Sequence, residues 1–251
     1  MILYMDCGNS RIKWWLTGES QTIAGKFGYE SVSRELSSIN ERSAKLKSVV
    51  LSSVLGASKQ GSLLRELKQK FDCPLRQCVV SRRTLGVTCA YDDPQKLGVD
   101  RWLALVTAWY KYRNTCLVVD LGTAATLDIV EKNGTHLGGY IVSGLGLSIK
   151  GLLSGTGNVA PDAMDRKALC LDYGRSTTQA VYNGAITGLV SLIDTTFSRI
   201  LERDQHAMLL LTGGDAELVS LHLAHRCLLE ENLVFAGMRL FNDMGLLIDA
   251  V

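Results

Sequence analysis

The chain has 251 residues, of which 47% are hydrophobic and 21% charged, a composition typical of one or two folded domains with a sizeable core. Its 27 basic and 25 acidic residues give a net charge of +2, which argues against a dedicated nucleic-acid binder with a concentrated basic stripe. The N-terminus lacks the pattern of a signal peptide, no apolar run approaches the roughly 18–20 residues of a membrane span, and the seven cysteines are scattered. We therefore expect a cytoplasmic protein with reduced thiols.

The first predicted element is an apolar hairpin. Residues 1–16 read MILYMDCGNSRIKWWL, a strand ending in Asp-x-Gly and an alternating run that returns beside it. Such a turn has the parts of a phosphate site: Asp6 can hold Mg²⁺, Gly8 admits the phosphates, and Ser10 and Lys13 can donate hydrogen bonds to them. An ordinary Gly-Asn hairpin with a solvated aspartate is the alternative for this segment taken alone.

The periodicity of the next hundred residues predicts two helices. Residues 60–71 form one of them, with an apolar face made of Leu63, Leu64, Leu67 and Phe71. Residues 101–113 form the other, which is apolar over most of its surface and therefore buried. We place the domain boundary near residue 114, so the expected domains are 1–113 and 114–251.

The segment Gly98-Val99-Asp100-Arg101 precedes the second helix and has the groups that a kinase needs for its acceptor. Asp100 can take the proton of an alcohol that attacks the γ-phosphate. Arg101 offers a planar fork for a carboxylate or for phosphoryl charge. The alternative is purely structural, with Asp100 as the N-cap of the helix.

Residues 115–130, TCLVVDLGTAATLDIV, repeat the pattern of the N-terminal hairpin. The two copies align three pairs at a constant offset of 114 (120 − 6 = 114): Asp6 with Asp120, Gly8 with Gly122, and Asn9 with Thr123. A repeated hairpin at the start of each half predicts a duplicated fold whose two turns clamp one triphosphate. Asp128, at the end of the second hairpin, is expected to support the Mg²⁺ shell, and the alternative is a carboxylate that simply faces solvent.

The longest helical pattern covers residues 176–203. Ser176 and Gln179 form a capping box, which makes Thr177 the first helical residue. Gly184 and Gly188, one turn apart, allow another helix to approach closely.

An apolar strand at 207–211 then leads into Thr212-Gly213-Gly214-Asp215 and a further helix. This glycine turn suits close packing of a base or ribose against bare backbone, although a lone Gly-Gly turn is weak evidence. The order of two phosphate-type hairpins and then such a turn resembles that of the superfamily of acetate and sugar kinases, heat-shock ATPases and actin. No P-loop sequence is present. The fold class that the resemblance implies is α/β: two related actin-like (ribonuclease H-like) domains, each a mixed sheet flanked by helices.

Within that superfamily the motifs look like those of type III pantothenate kinases. They are Asp-x-Gly-Asn-Ser-x-x-Lys-Trp, Gly-x-Asp-Arg, Asp-x-Gly-Thr-Ala-x-Thr-x-Asp, Gly-Gly-x-Ile and Thr-Gly-Gly-Asp-Ala. The similarity runs from Asp6 to the Leu-Val-Phe-Ala-Gly stretch at 233–237. One departure is visible: the family commonly has proline where this chain has Ser143, which removes a fixed φ and frees an N–H in that loop.

The resemblance implies a role for each matching residue. Asp100 is the implied catalytic base. The implied ATP-binding residues are Asp6, Cys7, Gly8, Asn9, Ser10, Arg11, Ile12, Lys13 and Thr123. The implied pantothenate-binding residues are Tyr91, Gly98, Val99, Asp100, Arg101 and Thr177. Asp6 is implied to bind Mg²⁺ with ATP, Asp120 a monovalent cation (K⁺ or NH₄⁺), and the protein to be a homodimer.

Two other functions stay open at this point. One is a kinase of the same superfamily with a different small acceptor. The other is a non-catalytic regulatory or accessory protein of the same fold, for which loss of the key aspartates would be expected; here all three are present, at positions 6, 100 and 120.

Overall fold

The computed structural model describes residues 1–19, 21–43, 45–156 and 165–250. The chain divides into two compact units. The first contains Met1–Thr84, Tyr91–Thr107 and Leu233–Val251, and the second contains Leu85–Ala90 and Ala108–Asn232. No helix in the described part of the chain is long and apolar enough to cross a membrane.

Runs of one to three strands are separated by helices along the chain. The strands are β1 (Ile2–Cys7), β2 (Ile12–Thr17), β3 (Thr22–Phe27), β4 (Ser48–Ser53), β5 (Leu75–Gln77), β6 (Arg83–Thr84), β7 (Val87–Thr88), β8 (Cys116–Leu121), β9 (Ala124–Val130), β10 (His136–Ser143), β11 (Met208–Thr212), β12 (Leu228–Leu229) and β13 (Ile248–Asp249). The α-helices are α1 (Val32–Arg42), α2 (Ala57–Lys70), α3 (Val99–Tyr112), α4 (Leu145–Gly155), α5 (Thr177–Leu201), α6 (Ala216–Ser220) and α7 (Leu233–Asp243).

The first unit is built on a six-stranded mixed sheet in the order β13-β5-β4-β1-β2-β3. Strand β1 pairs antiparallel with β2 and parallel with β4, so it lies in the middle of the sheet. Its residues Leu3, Tyr4 and Met5 are all buried, as expected for a strand covered on both faces. The predicted apolar face of α2 is confirmed, since Leu63, Leu64, Leu67 and the following Phe71 belong to the core of this unit.

The end of the chain belongs to the first unit, which differs from the expected division into 1–113 and 114–251. Helix α7 packs on β1 and β4, and β13 pairs with β5. The ring of Phe235 stacks on Trp15 with centroids 4.6 Å apart and meets Tyr4 edge-on at 5.3 Å. Burial of these aromatic rings holds helix α7 against the N-terminal sheet.

The second unit has a five-stranded mixed sheet in the order β10-β9-β8-β11-β12. Strand β8 is antiparallel to β9 and parallel to β11. Helix α5, 25 residues long, covers this sheet with buried residues that include Ile186, Ile193 and Phe197. The central strand is again buried, from Cys116 to Val119.

The two sheets share one topology, which confirms the internal repeat. Five consecutive positions correspond: β3-β2-β1-β4-β5 in the first sheet and β10-β9-β8-β11-β12 in the second. In each sheet, the first strand of the hairpin, β1 or β8, has its antiparallel partner on one side. On its other side lie two strands parallel to it, β4 and β5 or β11 and β12. The expected α/β fold with a mixed sheet and flanking helices in each unit is therefore confirmed.

Candidate active site

The first phosphate-type turn lies at the end of β1 and the start of β2. Cys7 pairs with Ile12 in the hairpin, so Gly8 to Arg11 form the turn. Asp6 lies opposite Ser52 of the parallel strand β4, and its Oδ1 accepts a hydrogen bond of 3.1 Å from the Ser52 hydroxyl. Ser52 is fully buried, so this hydrogen bond orients a half-buried carboxylate from inside the sheet.

The residues of this turn differ in what they can offer a nucleotide. Cys7 and Ile12 are completely buried in the core, so only their main-chain atoms are available. Burial also raises the pKa of the Cys7 thiol, with Asp6 adding to the effect, which keeps the thiol neutral. Asn9, Ser10 and Arg11 are exposed, and Lys13 is half-buried on β2.

A tyrosine outside the predicted motif also contacts this turn. The hydroxyl of Tyr29 donates a hydrogen bond of 2.6 Å to the carbonyl oxygen of Gly8. The second residue that sequence reasoning missed is Ser52, described above. Neither carries a local sequence signal, because strand pairing alone brings positions 29 and 52 to the turn.

The acceptor segment opens helix α3. The carbonyl of Gly98 accepts the first helical hydrogen bond, from Trp102 N–H at 3.0 Å, so the cap residue is Gly98 and the alternative of Asp100 as the N-cap is wrong. Asp100 lies in the first turn, half-buried, and its Oδ1 accepts from the Arg101 N–H at 2.8 Å. A side chain at Gly98 would come within 2.6 Å of that carboxylate oxygen, so glycine keeps the space beside Asp100 open.

Arg101 and Tyr91 form one hydrogen-bonded group in the first unit. Arg101 is only 7% exposed, and its guanidinium donates to the Tyr91 hydroxyl at 3.1 Å. A second arginine, Arg82, donates to the Tyr91 carbonyl at 2.7 Å and also to the carbonyl of Asp92. Arg101 therefore holds the side chain of Tyr91 and Arg82 holds its backbone. The sequence motifs did not indicate this role of Arg82.

The second phosphate-type turn, in the other unit, joins β8 to β9. Asp120 is the one half-buried residue of β8, just before the buried Leu121, and Gly122 N–H closes the turn on the carbonyl of Ala124 at 3.0 Å. Thr123 is exposed at its tip, and its carbonyl accepts from Gly144 N–H at 3.0 Å. This bond fixes the start of α4, at the place where Ser143 replaces the family proline.

The Gly-Gly turn after β11 lies directly against this second hairpin. Gly213 has φ +96°, and a Cβ there would lie 2.5 Å from the Asp120 Oδ1 and 2.6 Å from the Leu121 backbone. The N–H of Asp215 donates to the Leu121 carbonyl at 3.1 Å, and its carboxylate pairs with Arg166 at 2.8 Å. The structure thus brings the second phosphate-type turn and the predicted adenosine turn together.

Thr177 is the first residue of α5, as the capping box predicts. The Ser176 hydroxyl accepts from Gln179 N–H at 3.2 Å, and the Gln179 side chain accepts from Arg175 N–H at 2.8 Å. Thr177 is exposed and helps to line a cavity of about 730 Å³. The other lining residues are Leu152, Gly174, Arg175, Ser176, Ala180 and Val181.

Asp128 does not lie where a metal shell would need it. It is 2% exposed, and its Oδ1 lies 3.2 Å from Nε2 of the equally buried His136. Because Nδ1 of His136 accepts the Ala90 N–H at 3.3 Å, the ring proton is on Nε2 and is donated to the carboxylate. We therefore assign Asp128 to the interior of the second sheet, which corrects the expectation of Mg²⁺ support.

No group of three or more His, Cys, Asp or Glu side chains suited to a metal occurs in the described ranges. A Mg²⁺ ion carried by a nucleotide is held by one or two protein carboxylates together with phosphate oxygens. In the first unit, Asp6 offers a half-buried carboxylate oriented by Ser52. In the second unit, Asp120 offers another half-buried carboxylate.

Comparison with known proteins gives a consistent result. The type III pantothenate kinase family matches residues 2–199. The type III pantothenate kinase of Pseudomonas paraeruginosa is 37% identical over 247 residues, which cover 96% of this chain and 98% of that protein. The enzyme of the same name from Chromohalobacter salexigens is 36% identical over 245 residues, covering 95% of this chain and 86% of that one.

Solved structures agree on the fold. A Campylobacter jejuni protein described as belonging to the Baf family of transcriptional activators superposes with a TM-score of 0.61 at 22% identity, covering 97% of this chain and 98% of its own. A 2-dehydro-3-deoxygalactonokinase-type protein from Sinorhizobium meliloti superposes with a TM-score of 0.52 at 13% identity, covering 97% and 99%. At these identities the likeness concerns the fold alone.

Proposed function

Because this chain belongs to the type III pantothenate kinase family, whose members transfer a phosphoryl group from ATP to pantothenate in coenzyme A biosynthesis, we propose specific roles for its residues in that reaction. The observation that carries the proposal is the first turn of α3. There the half-exposed Asp100 carboxylate lies beside Arg101, whose guanidinium is fixed on Tyr91.

Asp100 acts as the general base. The primary hydroxyl oxygen of pantothenate forms a bond to the γ-phosphorus, the bond from that phosphorus to the bridging oxygen breaks, and ADP leaves. The hydroxyl proton passes to the Asp100 carboxylate. The hydrogen bond from Arg101 N–H at 2.8 Å holds one oxygen of this carboxylate in place.

Arg101 and Tyr91 bind the acceptor. The Arg101 side chain is only 7% exposed and is already oriented by Tyr91. It therefore loses little conformational freedom when it binds a carboxylate, and pantothenate carries one. Gly98 and Val99 border the same place through their main chain. In the second unit, Thr177 at the start of α5 is the further residue to which we assign pantothenate binding. Arg82 supports the group by holding the Tyr91 backbone.

The ATP-binding residues are 6–13, which comprise the first turn and the strand ends on either side of it, together with Thr123 of the second unit. Asp6, oriented by Ser52, holds Mg²⁺, which neutralises charge on the triphosphate when bound. Asp120 holds a monovalent cation, K⁺ or NH₄⁺, beside the Gly213 backbone. Positioning and charge stabilisation then supply most of the rate enhancement.

We also propose a homodimer that forms through one face of the second unit. Strand β10 is the edge of its sheet and exposes Tyr140 and Ile141, the latter to 62%. Tyr173 is 99% exposed, and a Cβ added at Gly184 or Gly188 on α5 would meet nothing within 4 Å. Exposed apolar residues of this kind mark contact surfaces, and a second copy of the same face is the simplest partner.

We also place the reaction in the cytoplasm, where the thiols of the seven cysteines stay reduced. The regulatory alternative gains no support from the Campylobacter jejuni structure, because its similarity shows the fold alone.

The test of the function is ADP release by the purified protein in the presence of ATP and Mg²⁺. We expect release only when pantothenate is added, and no release with other small alcohols such as glycerol or glucose. Release that is equal with and without pantothenate would instead support a different acceptor or the accessory role.

A further inference from the structure

Tyr29 reaches the first phosphate-type turn from a strand that carries none of the motifs. Strand β3 runs antiparallel to β2 with Phe27 opposite Ile12, so the end of β3 lies beside the start of β2. Gly28 follows, and the 3₁₀ turn Tyr29–Ser31 begins at that edge of the sheet. The Tyr29 hydroxyl thereby comes within 2.6 Å of the Gly8 carbonyl oxygen.

This hydrogen bond determines the orientation of a whole peptide group. The described part of the chain contains no cis peptide bond, so the Gly8–Asn9 peptide is trans and its C=O and N–H point in opposite directions. With the Gly8 carbonyl turned to Tyr29, the Asn9 N–H points away from Tyr29. Asn9 is an exposed residue, and phosphate-binding turns act by presenting such N–H groups to anions.

We propose that Tyr29 is a positioning residue for ATP, whose hydroxyl fixes the Gly8–Asn9 peptide so that the Asn9 N–H is presented to a phosphate oxygen. This inference rests on the nucleotide-binding part of the proposed function. Without the hydroxyl the peptide can rotate, and its carbonyl oxygen can then face the phosphates and repel them.

The surroundings keep Tyr29 in this role. Its ring is half-buried against the core of the first unit, and the Lys59 ammonium lies 6.0 Å from the ring centroid. Burial raises the pKa of the Tyr29 hydroxyl, and the neighbouring Cys7 and Asp6 add to the rise. The hydroxyl is therefore protonated, and a donor, over the whole working pH range.

The experiment compares Tyr29→Phe with Tyr110→Phe. Phenylalanine keeps the ring that packs on the core and removes only the hydroxyl. Tyr110 is the matched control because its ring is also half-buried with a cation over it, Arg113 at 4.8 Å, and it lies in the other unit. The readouts are the Kd for the fluorescent analogue mant-ATP with Mg²⁺, the KM values for ATP and for pantothenate, and the melting temperature.

A neutral hydrogen bond generally changes an equilibrium constant by a factor of about three to ten. We expect Tyr29→Phe to raise the Kd for mant-ATP and the KM for ATP by about that factor. The KM for pantothenate should stay within twofold of the wild-type value, and Tyr110→Phe should change none of them. This selective loss is what a merely structural tyrosine would not produce.

An unchanged Kd for mant-ATP in Tyr29→Phe overturns the inference, as does an equal rise in both KM values with a lower melting temperature. Wild-type protein that fails to bind mant-ATP overturns both the inference and the proposed function. If Tyr29→Phe weakens mant-ATP binding while the wild type leaves pantothenate unphosphorylated, the positioning role stands and the proposed acceptor is wrong.

Discussion

Replacing Asp100 by asparagine tests the proposed base while leaving its structural contact in place. The Asp100 Oδ1 accepts the Arg101 N–H at 2.8 Å, and the amide oxygen of asparagine can accept the same bond. Helix α3 is capped by the Gly98 carbonyl, which the substitution does not touch. The variant should therefore fold with a melting temperature within about 2–3 °C of the wild type, since a neutral surface change costs little.

The chemical step should suffer much more, because asparagine cannot take the hydroxyl proton. Loss of a general base generally lowers kcat by about 10²- to 10⁴-fold. This corresponds to about 2.7–5.5 kcal/mol of transition-state stabilisation. Pantothenate binding should persist through Arg101 and Tyr91.

The assay is pantothenate-dependent ADP release at saturating substrates, with pantothenate binding measured separately by calorimetry. Asp93→Asn is the matched control, because the Asp93 carboxylate also accepts a backbone N–H, that of Gln95 at 3.1 Å, at the start of a short 3₁₀ turn. We expect this control to keep wild-type turnover. If Asp100→Asn retained more than about a tenth of wild-type kcat, the base would have to be another group.

Three further predictions follow from the second unit. Leucine at both Gly184 and Gly188 should leave the fold intact, because a Cβ added at either glycine meets nothing within 4 Å, yet it should weaken dimerisation measured by light scattering. A variant that dimerises as strongly as the wild type would contradict the dimer proposal. Gly213→Ala should lower the free energy of unfolding by about 1–3 kcal/mol in denaturant titrations, because it forces φ +96° on alanine and crowds Asp120. The control Gly214→Ala has open space around its Cβ and should have a far smaller effect. Equal losses in the two variants would show that the turn has rearranged. We expect ADP release by the wild type to be faster when K⁺ or NH₄⁺ replaces Na⁺. Asp120→Ala should remove this dependence together with most of the activity. A variant whose rate still rises with K⁺ would exclude Asp120 as the cation ligand.

The hairpins and the main helices are predictable because their signals are local. An apolar run ending in Asp-x-Gly predicts β1 and β8 with their return strands, and the helical periodicity predicts α2 and α3 to within three residues. The Ser176 and Gln179 pair predicts the first residue of α5.

The features that sequence reasoning missed depend on contacts between distant segments. Ser52 reaches Asp6 across 46 positions, through a parallel strand pair whose partners no local pattern specifies. Helix α7 packs on β1 and β4, at least 180 positions away in the sequence, and no local pattern specifies that contact. Asp128 looked like a polar residue at a strand end, and its buried partner His136 becomes visible only with the pairing of β9 and β10.

The most direct test of the central claim is identification of the product. Wild-type protein incubated with ATP, Mg²⁺, K⁺ and pantothenate should convert pantothenate to 4′-phosphopantothenate, seen by mass spectrometry and by a phosphomonoester signal in ³¹P NMR. We predict one molecule of this product for each ADP formed. ADP without phosphorylated pantothenate, or a phosphate on a different acceptor, would contradict the account.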